Sequence, residues 1–159
     1  MSKKTLVVYA TRTGTTKAVA EALARELDAD LAEIVDGKKR LGPVGVVSAG
    51  VDAIFGRRTA IAEVEFDAAS YDLVVIGTPV RVTTMCRAVR TYITGQKERL
   101  PDVAFFLTTM CFGASSAFRR MTKLCGREPL ATLGLRAGEV KSGAFIDKAK
   151  TFAAQLQTD

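Results

Sequence analysis

The chain has 159 residues, with 23 lysines and arginines against 17 aspartates and glutamates, so its formal net charge is +6. It has no histidine, which excludes a Ser-His-Asp triad, a Cys-His pair, a histidine-ligated zinc ion and a histidine proton switch. It also has no tryptophan, so a flat ligand would have to stack on one of 8 Phe or 3 Tyr residues, or on a group that is not aromatic.

The cysteine content and the hydropathy of the sequence indicate the cellular compartment of the protein. Cys86, Cys111 and Cys125 are an odd number without a C-x-x-C pair, which favours neither a disulfide framework nor a zinc or iron–sulfur site. Cys86 and Cys125 fit helix-packing positions. The N-terminus lacks a signal-peptide core, and the longest uncharged stretch, residues 103–118, is too short and too polar to span a bilayer. We expect a cytoplasmic protein with no membrane span.

Apolar periodicity alternates along the chain between buried strands and amphipathic helices. In chain order it predicts a strand at 5–9, a helix at 15–27, a strand at 31–35, a helix at 42–55, a linker at 57–70, a strand at 73–77, a helix at 85–93, a strand at 103–108, a helix at 116–124, a strand at 129–135 and a helix at 145–156.

This alternation predicts an α/β fold in a single domain, residues 1–159. The expected architecture is a doubly wound, five-stranded parallel sheet with strand order 2-1-3-4-5 and helices on both faces. Ligands of such sheets bind beyond the carboxyl ends of the strands, at the switch point between strands one and three. The segments expected there are residues 10–16, 78–84 and 109–116.

The first of these segments has the composition of a phosphate-binding loop. It follows a strand, opens a helix and concentrates hydroxyl groups around one glycine; its members are Thr11, Arg12, Thr13, Gly14, Thr15 and Thr16. Backbone N–H groups at a helix N-terminus attract anions, and hydroxyls add further donors. Because no carboxylate is close enough in sequence to hold a metal ion and the Walker A lysine is absent, a phosphate monoester is favoured over a nucleoside triphosphate.

The same loop resembles that of the flavodoxin family. Thr11, Thr13, Gly14 and Thr16 match the family pattern Thr/Ser-x-Thr-Gly-x-Thr, and residues 71–79 and 103–113 resemble its third strand and a later strand with its loop. The likeness extends over essentially the whole chain. It implies a flavodoxin-like fold that holds FMN noncovalently and passes electrons.

The resemblance also assigns the other two loops to the flavin. The cofactor-binding residues expected in them are Thr78, Pro79, Val80, Arg81 and Val82, and then Met110, Cys111, Phe112 and Gly113. The family usually places a Trp or Tyr against the flavin ring, and the second loop has no aromatic residue. Arg81 could lie flat on the ring, with Val80 or Val82 beside it. Phe112 has two interpretations, a flavin contact or a core residue, and Cys111 is either reactive or a small packing residue.

Charge is distributed unevenly. Residues 61–80 carry four acidic and no basic side chains, whereas residues 81–136 carry ten basic and three acidic ones, a net charge of +7. We place this surplus beside the predicted site, with Arg81, Arg87, Arg119 and Arg120 at its rim, favouring anionic ligands or an acidic partner. Positive charge near the ring favours the anionic, fully reduced flavin, and a flavin of that kind favours two-electron reduction of a quinone-like or other small acceptor. The alternative is that the arginines only solvate helix faces.

Other functions of the same strand order are less favoured. A phosphoacceptor receiver domain needs acidic residues where this chain has Thr11 and Thr78, which excludes it. A flavodoxin-like module without flavin, which binds an acidic protein partner, remains the alternative. Nucleic acid is disfavoured, because the chain has no aromatic residues interleaved with the basic ones and no DNA-binding motif. With no acid–base pair in the loops, any NAD(P)H- or partner-dependent oxidoreductase chemistry must come from the cofactor.

Overall fold

The computed structural model describes residues 3–34, 67–81, 84–110 and 112–157, with only the backbone of Arg81. The predicted helix at 42–55 and most of the predicted linker at 57–70 lie outside these residues. The elements below are numbered in chain order.

A parallel sheet forms the centre of the described part of the chain. Its strands are β1 (Thr5–Tyr9), β2 (Asp30–Glu33), β3 (Leu73–Arg81), β4 (Thr84–Met85), β5 (Asp102–Thr109) and β6 (Thr132–Arg136). Five of them run parallel in the order β2-β1-β3-β5-β6, and β4 pairs antiparallel with the end of β3. The order of the parallel strands confirms the predicted 2-1-3-4-5 topology, with six strands rather than five.

Helices cover both faces of this sheet, as predicted. They are α1 (Thr15–Leu27), α2 (Arg87–Gln96), α3 (Ala114–Cys125), α4 (Ala137–Ser142) and α5 (Phe145–Gln157), and a 3-10 turn spans Ala68–Ser70. Val19 of α1 and Phe152 of α5 belong to the core on one face, together with Phe106 of β5. Val89 of α2 and Met121 of α3 belong to the core on the other face. The connections after β1 and β6 therefore run to one face, and those after β3 and β5 to the other.

Several predicted boundaries differ from the structure. The helix predicted to start at residue 85 starts at Arg87, because Met85 pairs with Val80 in β4. The strand predicted at 73–77 continues to Arg81. The last strand begins at Thr132 rather than at 129, and α4 has no counterpart among the predicted elements.

The two described cysteines have different surroundings. Cys86 is half-buried and directly precedes α2, whereas the prediction placed it within that helix. Cys125 is buried at the end of α3. Burial raises the pKa of the Cys125 thiol to about 11, although Arg127 and Lys97 act in the opposite direction. Within the described ranges no group of three or more His, Cys, Asp or Glu side chains could hold a metal ion. No helix described here is long and apolar enough to cross a membrane.

Candidate functional site

The loop between β1 and α1 lies at the carboxyl edge of the sheet, where β1 and β3 adjoin. The backbone N–H of Ala10 donates to the carbonyl oxygen of Gly77 at 3.1 Å, which fixes the start of the loop against β3. Gly14 has φ +92° and directly precedes α1. Its N–H donates to Thr11 Oγ1 at 3.0 Å, and the hydroxyls of Thr13 and Thr15 are 3.2 Å apart.

The start of α1 is open to an anion. The first N–H groups of a helix have no partner within the helix, and no side chain caps α1. Its first turn has no acidic residue, so the partial positive charge of the helix end is not neutralised there. A Cβ atom added to Gly14 would have no described atom within 4 Å apart from its chain neighbours, so the space beside Gly14 is open. An uncapped helix N-terminus of this kind attracts anions.

Thr16 differs from its neighbours because its side chain is buried, with 1% of its surface exposed. Its Oγ1 lies 2.8 Å from Oγ1 of Thr108 near the end of β5, so this hydroxyl pair joins the first loop to the segment that precedes the third. Arg12, Thr13 and Gly14 are exposed, and Thr11 and Thr15 are half-buried. In the sequence, the only signal for Thr108 is its polarity at the end of an apolar strand.

The Thr16–Thr108 pair yields a stability prediction. Thr108→Val should lower the free energy of unfolding by about 1–3 kcal/mol, because it leaves the Thr16 hydroxyl buried without this partner. The double variant Thr16→Val, Thr108→Val should recover most of that loss, since both hydroxyls are then removed. Urea denaturation of the four proteins of this cycle measures the effect. Additive losses would show that the two hydroxyls do not interact.

The second predicted loop is largely a hairpin instead of a loop. Thr78, Pro79, Val80 and Arg81 continue β3, and β4 pairs antiparallel with Val80 and Arg81. The Thr78 side chain is fully buried; its Oγ1 accepts a hydrogen bond from the Cys86 N–H at 3.0 Å and donates to the Pro79 carbonyl at 2.9 Å. Thr78 thus holds the hairpin against the start of α2. Pro79 and Val80 are half-buried, while Val82 and the side chain of Arg81 lie outside the described residues.

The third loop presents two large apolar side chains to solvent. Met110 is 82% exposed and Phe112 is 65% exposed, so Phe112 is not a core residue. The Thr109 hydroxyl donates to the Phe112 carbonyl at 2.7 Å, and Gly113, with φ +102°, directly precedes α3. Cys111 lies outside the described residues. Exposed apolar side chains of this size can pack against a flat ligand.

The basic residues are divided between both ends of the sheet, which corrects the expectation that their whole surplus lies beside the site. Arg87 and Arg119 are exposed in the first two turns of α2 and α3, at the carboxyl edge, and Arg120 is exposed next to Arg119. Arg127, in contrast, donates to the Pro101 carbonyl at 3.0 Å, just before β5 begins. The direction of each helix and strand determines the end of the sheet at which an arginine lies, and the composition of a segment does not give that direction.

Arg136 and Glu139 lie outside the three predicted segments, at a cleft beside the third of them. Both line this cleft of about 510 Å³ next to the third loop, together with Thr109, Phe112, Gly113, Ala114, Ser115, Ser116, Arg119, Gly134 and Leu135. The predicted site comprises only the loops after β1, β3 and β5, and omits the loop after β6. The signal in the sequence for that loop is Arg136, which directly follows the predicted strand at 129–135.

Glu139 forms an ion pair with Lys148 at 2.5 Å. The hydrogen bond that Lys148 donates within this ion pair, together with one from the Arg136 backbone N–H, holds the pKa of Glu139 below its ordinary value of 4.5. The carboxylate therefore stabilises the folded state above its ordinary pKa, and this contribution is lost as the pH falls through the lowered value. Glu139→Gln should lower the urea midpoint at neutral pH, and the difference from the original protein should shrink on acidification. Glu128→Gln, at an exposed carboxylate without an ion pair among the described residues, should show no such trend.

Solved structures share this fold over nearly the whole chain. A flavoprotein from Lactobacillus acidophilus NCFM in complex with FMN is 22% identical, with 90% of this chain and 99% of that one covered and a TM-score of 0.67. A candidate flavoprotein from Bacteroides uniformis ATCC 8492 is 24% identical, with 97% and 99% covered and a TM-score of 0.71. The two-electron reduced flavodoxin of Megasphaera elsdenii is 18% identical, with 96% and 98% covered and a TM-score of 0.59.

No protein-family model matches the sequence, and no curated protein does. The structural likeness and the strand order together show that the chain has the flavodoxin-like fold, as the resemblance of its loops implied.

Proposed function

We propose that the protein is an FMN-binding redox protein of the flavodoxin-like type. The observation that carries this proposal is the uncapped start of α1, with its hydroxyl-rich loop, at the crevice between β1 and β3. That is the switch point of a doubly wound sheet, where ligands of such folds bind. Solved proteins of the same fold include an FMN complex and a flavodoxin, which supports the choice of FMN.

The residues at this edge fit the phosphate end of FMN. The backbone N–H groups of the first turn of α1 and the hydroxyls of Thr11, Thr13 and Thr15 would bind it, and Arg12 would add charge. Thr16 would act differently, by holding the loop in place through Thr108. The loop pattern therefore divides into residues that touch the phosphate and one that positions them.

Phe112 and Met110 would contact the flavin ring from the third loop, and Val80 from the hairpin. Arg81, Val82 and Cys111 remain sequence-based expectations for the same contact. When bound, FMN would supply the hydride or electron transfer chemistry. The protein's own contribution is to hold the ring and to cover it with apolar side chains that limit its contact with water.

FMN binding can be tested with the full chain. The purified protein should be yellow, or should bind added FMN with a saturable change in the flavin absorption spectrum. Riboflavin, which lacks the phosphate, should bind at least about tenfold more weakly, because the charge-assisted hydrogen bonds of the loop are then absent. A colourless protein that binds no FMN would overturn the proposal and favour the alternative, a module that binds an acidic protein.

We further propose that the electron acceptor is anionic or acidic, either a small quinone-like molecule or a partner protein. The exposed arginines at the carboxyl edge, Arg87 and Arg119, support this, since positive charge near the site attracts such reactants. An NAD(P)H-dependent quinone reduction assay with the FMN-loaded protein separates a reductase from a carrier. The free thiols of Cys86 and Cys125 support a reducing compartment such as the cytoplasm.

A further inference from the structure

The carboxyl edge of the sheet has a second crevice, between β5 and β6. The chain leaves β5 toward α3 on one face and leaves β6 toward α4 and α5 on the opposite face. The strand order does not reverse between β5 and β6, so this crevice is not a second switch point and is defined by the residues that line it. The cleft of about 510 Å³ lies in this crevice. Its size is within the range of small-molecule sites.

The charged groups that line this cleft favour an anion. Arg119 comes from α3 and Arg136 from the end of β6, and neither forms an ion pair within the described part of the chain. The carboxylate in the cleft, Glu139, is already engaged: one oxygen accepts from the Arg136 backbone N–H at 3.2 Å and the other from Lys148. Glu139 also interacts electrostatically with the Arg136 guanidinium, so its negative charge is shared between Lys148 and Arg136. Lys148, Arg119 and Arg136 together outnumber this one carboxylate, so a surplus of positive charge remains around the cleft.

The remaining lining adds polar donors and one aromatic face. Ser115 and Ser116 contribute hydroxyls, and Phe112, 65% exposed, lies at the side shared with the third loop. Gly134 leaves β6 without a side chain where the strand lies against α3: a Cβ there would contact Ala114 Cβ at 3.4 Å and the Phe118 ring at 3.6 Å. A guanidinium fork matches the two oxygens of a carboxylate or phosphate, and an aromatic side chain suits a flat apolar body.

We propose that this cleft is a second anion site, which binds a small aromatic molecule bearing a carboxylate or a phosphate monoester between Arg119 and Arg136. The cleft is separate from the loop at residues 11–16, and binding of an anion in the cleft does not depend on the proposed flavin. The two sites share only the third loop, so a ligand in the cleft would lie beside Phe112 and next to the proposed position of the flavin ring.

The test is an NMR titration of the isotopically labelled full chain with phenyl phosphate in one arm and benzoate in the other, in the presence of excess FMN. Saturable shifts are expected at the amides of residues 113–119 and 134–139. The arm that binds more tightly identifies the oxyanion. FMN binding is read separately from flavin absorption, so failure of the proposed function and failure of this proposal are distinguishable. If FMN does not bind, shifts at residues 11–17 report binding of the probe to the first loop, and only the shifts at residues 113–119 and 134–139 report binding to the cleft.

Arg119→Gln and Arg136→Gln should each weaken binding about tenfold, because each removes a charge-assisted contact. Arg120→Gln is the matched control: it removes the same charge from the neighbouring exposed position, which does not line the cleft, and should change affinity by less than about twofold. Gly134→Leu should abolish binding by filling the cleft without changing its charge. Thermal denaturation checks that each variant is folded.

Three outcomes would overturn the proposal. The first is the absence of saturable shifts at the cleft in both arms. The second is an equal loss of affinity in Arg120→Gln and Arg119→Gln, which would mean diffuse attraction to a basic surface. The third is unchanged binding in folded Gly134→Leu. Should one arginine variant fail to fold, the other and Gly134→Leu still decide the result.

Discussion

Replacing Gly77 with alanine is expected to lower the free energy of unfolding by about 3 kcal/mol and the melting temperature by roughly 10 °C. Gly77 pairs with Tyr9 on one side and with Phe106 on the other, in the centre of the sheet. A Cβ there would lie within 3.0 Å of the Cζ, Cε1 and Cε2 atoms of the Phe106 ring. Phe106 is fully buried in the core shared with α1 and α5, so its ring cannot move aside without displacing other core side chains.

Gly95→Ala is the matched control for this experiment. Gly95 lies in α2, is exposed, and has no atom within 4 Å of the position that an alanine methyl group would take, so the same substitution creates no overlap. Because alanine is a better helix former than glycine, this variant should be stabilised by up to about 1 kcal/mol. Urea denaturation of both variants measures the contrast. A Gly77→Ala protein as stable as the original would mean that Phe106 does not lie over Gly77.

The order of the parallel strands was predictable because each strand carries its own local signal. Val7, Val75 and Ala104 belong to continuous apolar runs that are buried on both faces, and helical periodicity separates most of those runs. Alternation of the two patterns, together with right-handed crossovers, then leaves few arrangements. The apolar pattern of each segment and the crossover rule together were enough for this part of the fold.

The extension of β3 was not predictable, since Pro79 in a sequence indicates a turn. In the structure β1 ends at Tyr9, opposite Gly77, so beyond that point β3 has lost its neighbour on that side. Pro79 pairs with Thr108 of β5 and needs no N–H donor toward the vacant side. Whether a strand continues past a proline thus depends on where its neighbour ends, which the local sequence does not contain.

The position of the hydroxyl-rich loop at residues 11–16 was predictable because its residues are contiguous and lie in a strand–loop–helix order. The Thr16–Thr108 pair joins residues 92 positions apart, and the second cleft combines Arg119 with Arg136 from different elements. Such pairs depend on register and helix orientation. The exposure of Met110 and Phe112 was also open from sequence, because apolar residues next to a strand are usually interpreted as core.

Gly14→Ala is expected to weaken FMN binding by about ten- to hundredfold, if the loop binds the phosphate as proposed. Gly14 has φ +92°, a conformation that costs an alanine roughly 1–2 kcal/mol, and it directly precedes the first amides of α1. The added methyl group therefore strains the loop and adds bulk next to the amides that are proposed to bind the phosphate. Flavin absorption or fluorescence titration measures the affinity, and urea denaturation measures the strain.

Gly143→Ala separates these two effects. Gly143 follows α4, has φ +84° and, like Gly14, has no atom within 4 Å of a Cβ, so alanine there should cause a similar loss of stability. It belongs to neither the loop nor the second cleft, so its FMN affinity should equal that of the original protein. If both variants lost affinity equally, the loss in Gly14→Ala would reflect lower stability alone. If neither lost affinity, FMN would bind without the N-terminus of α1, and the phosphate would have to be held elsewhere.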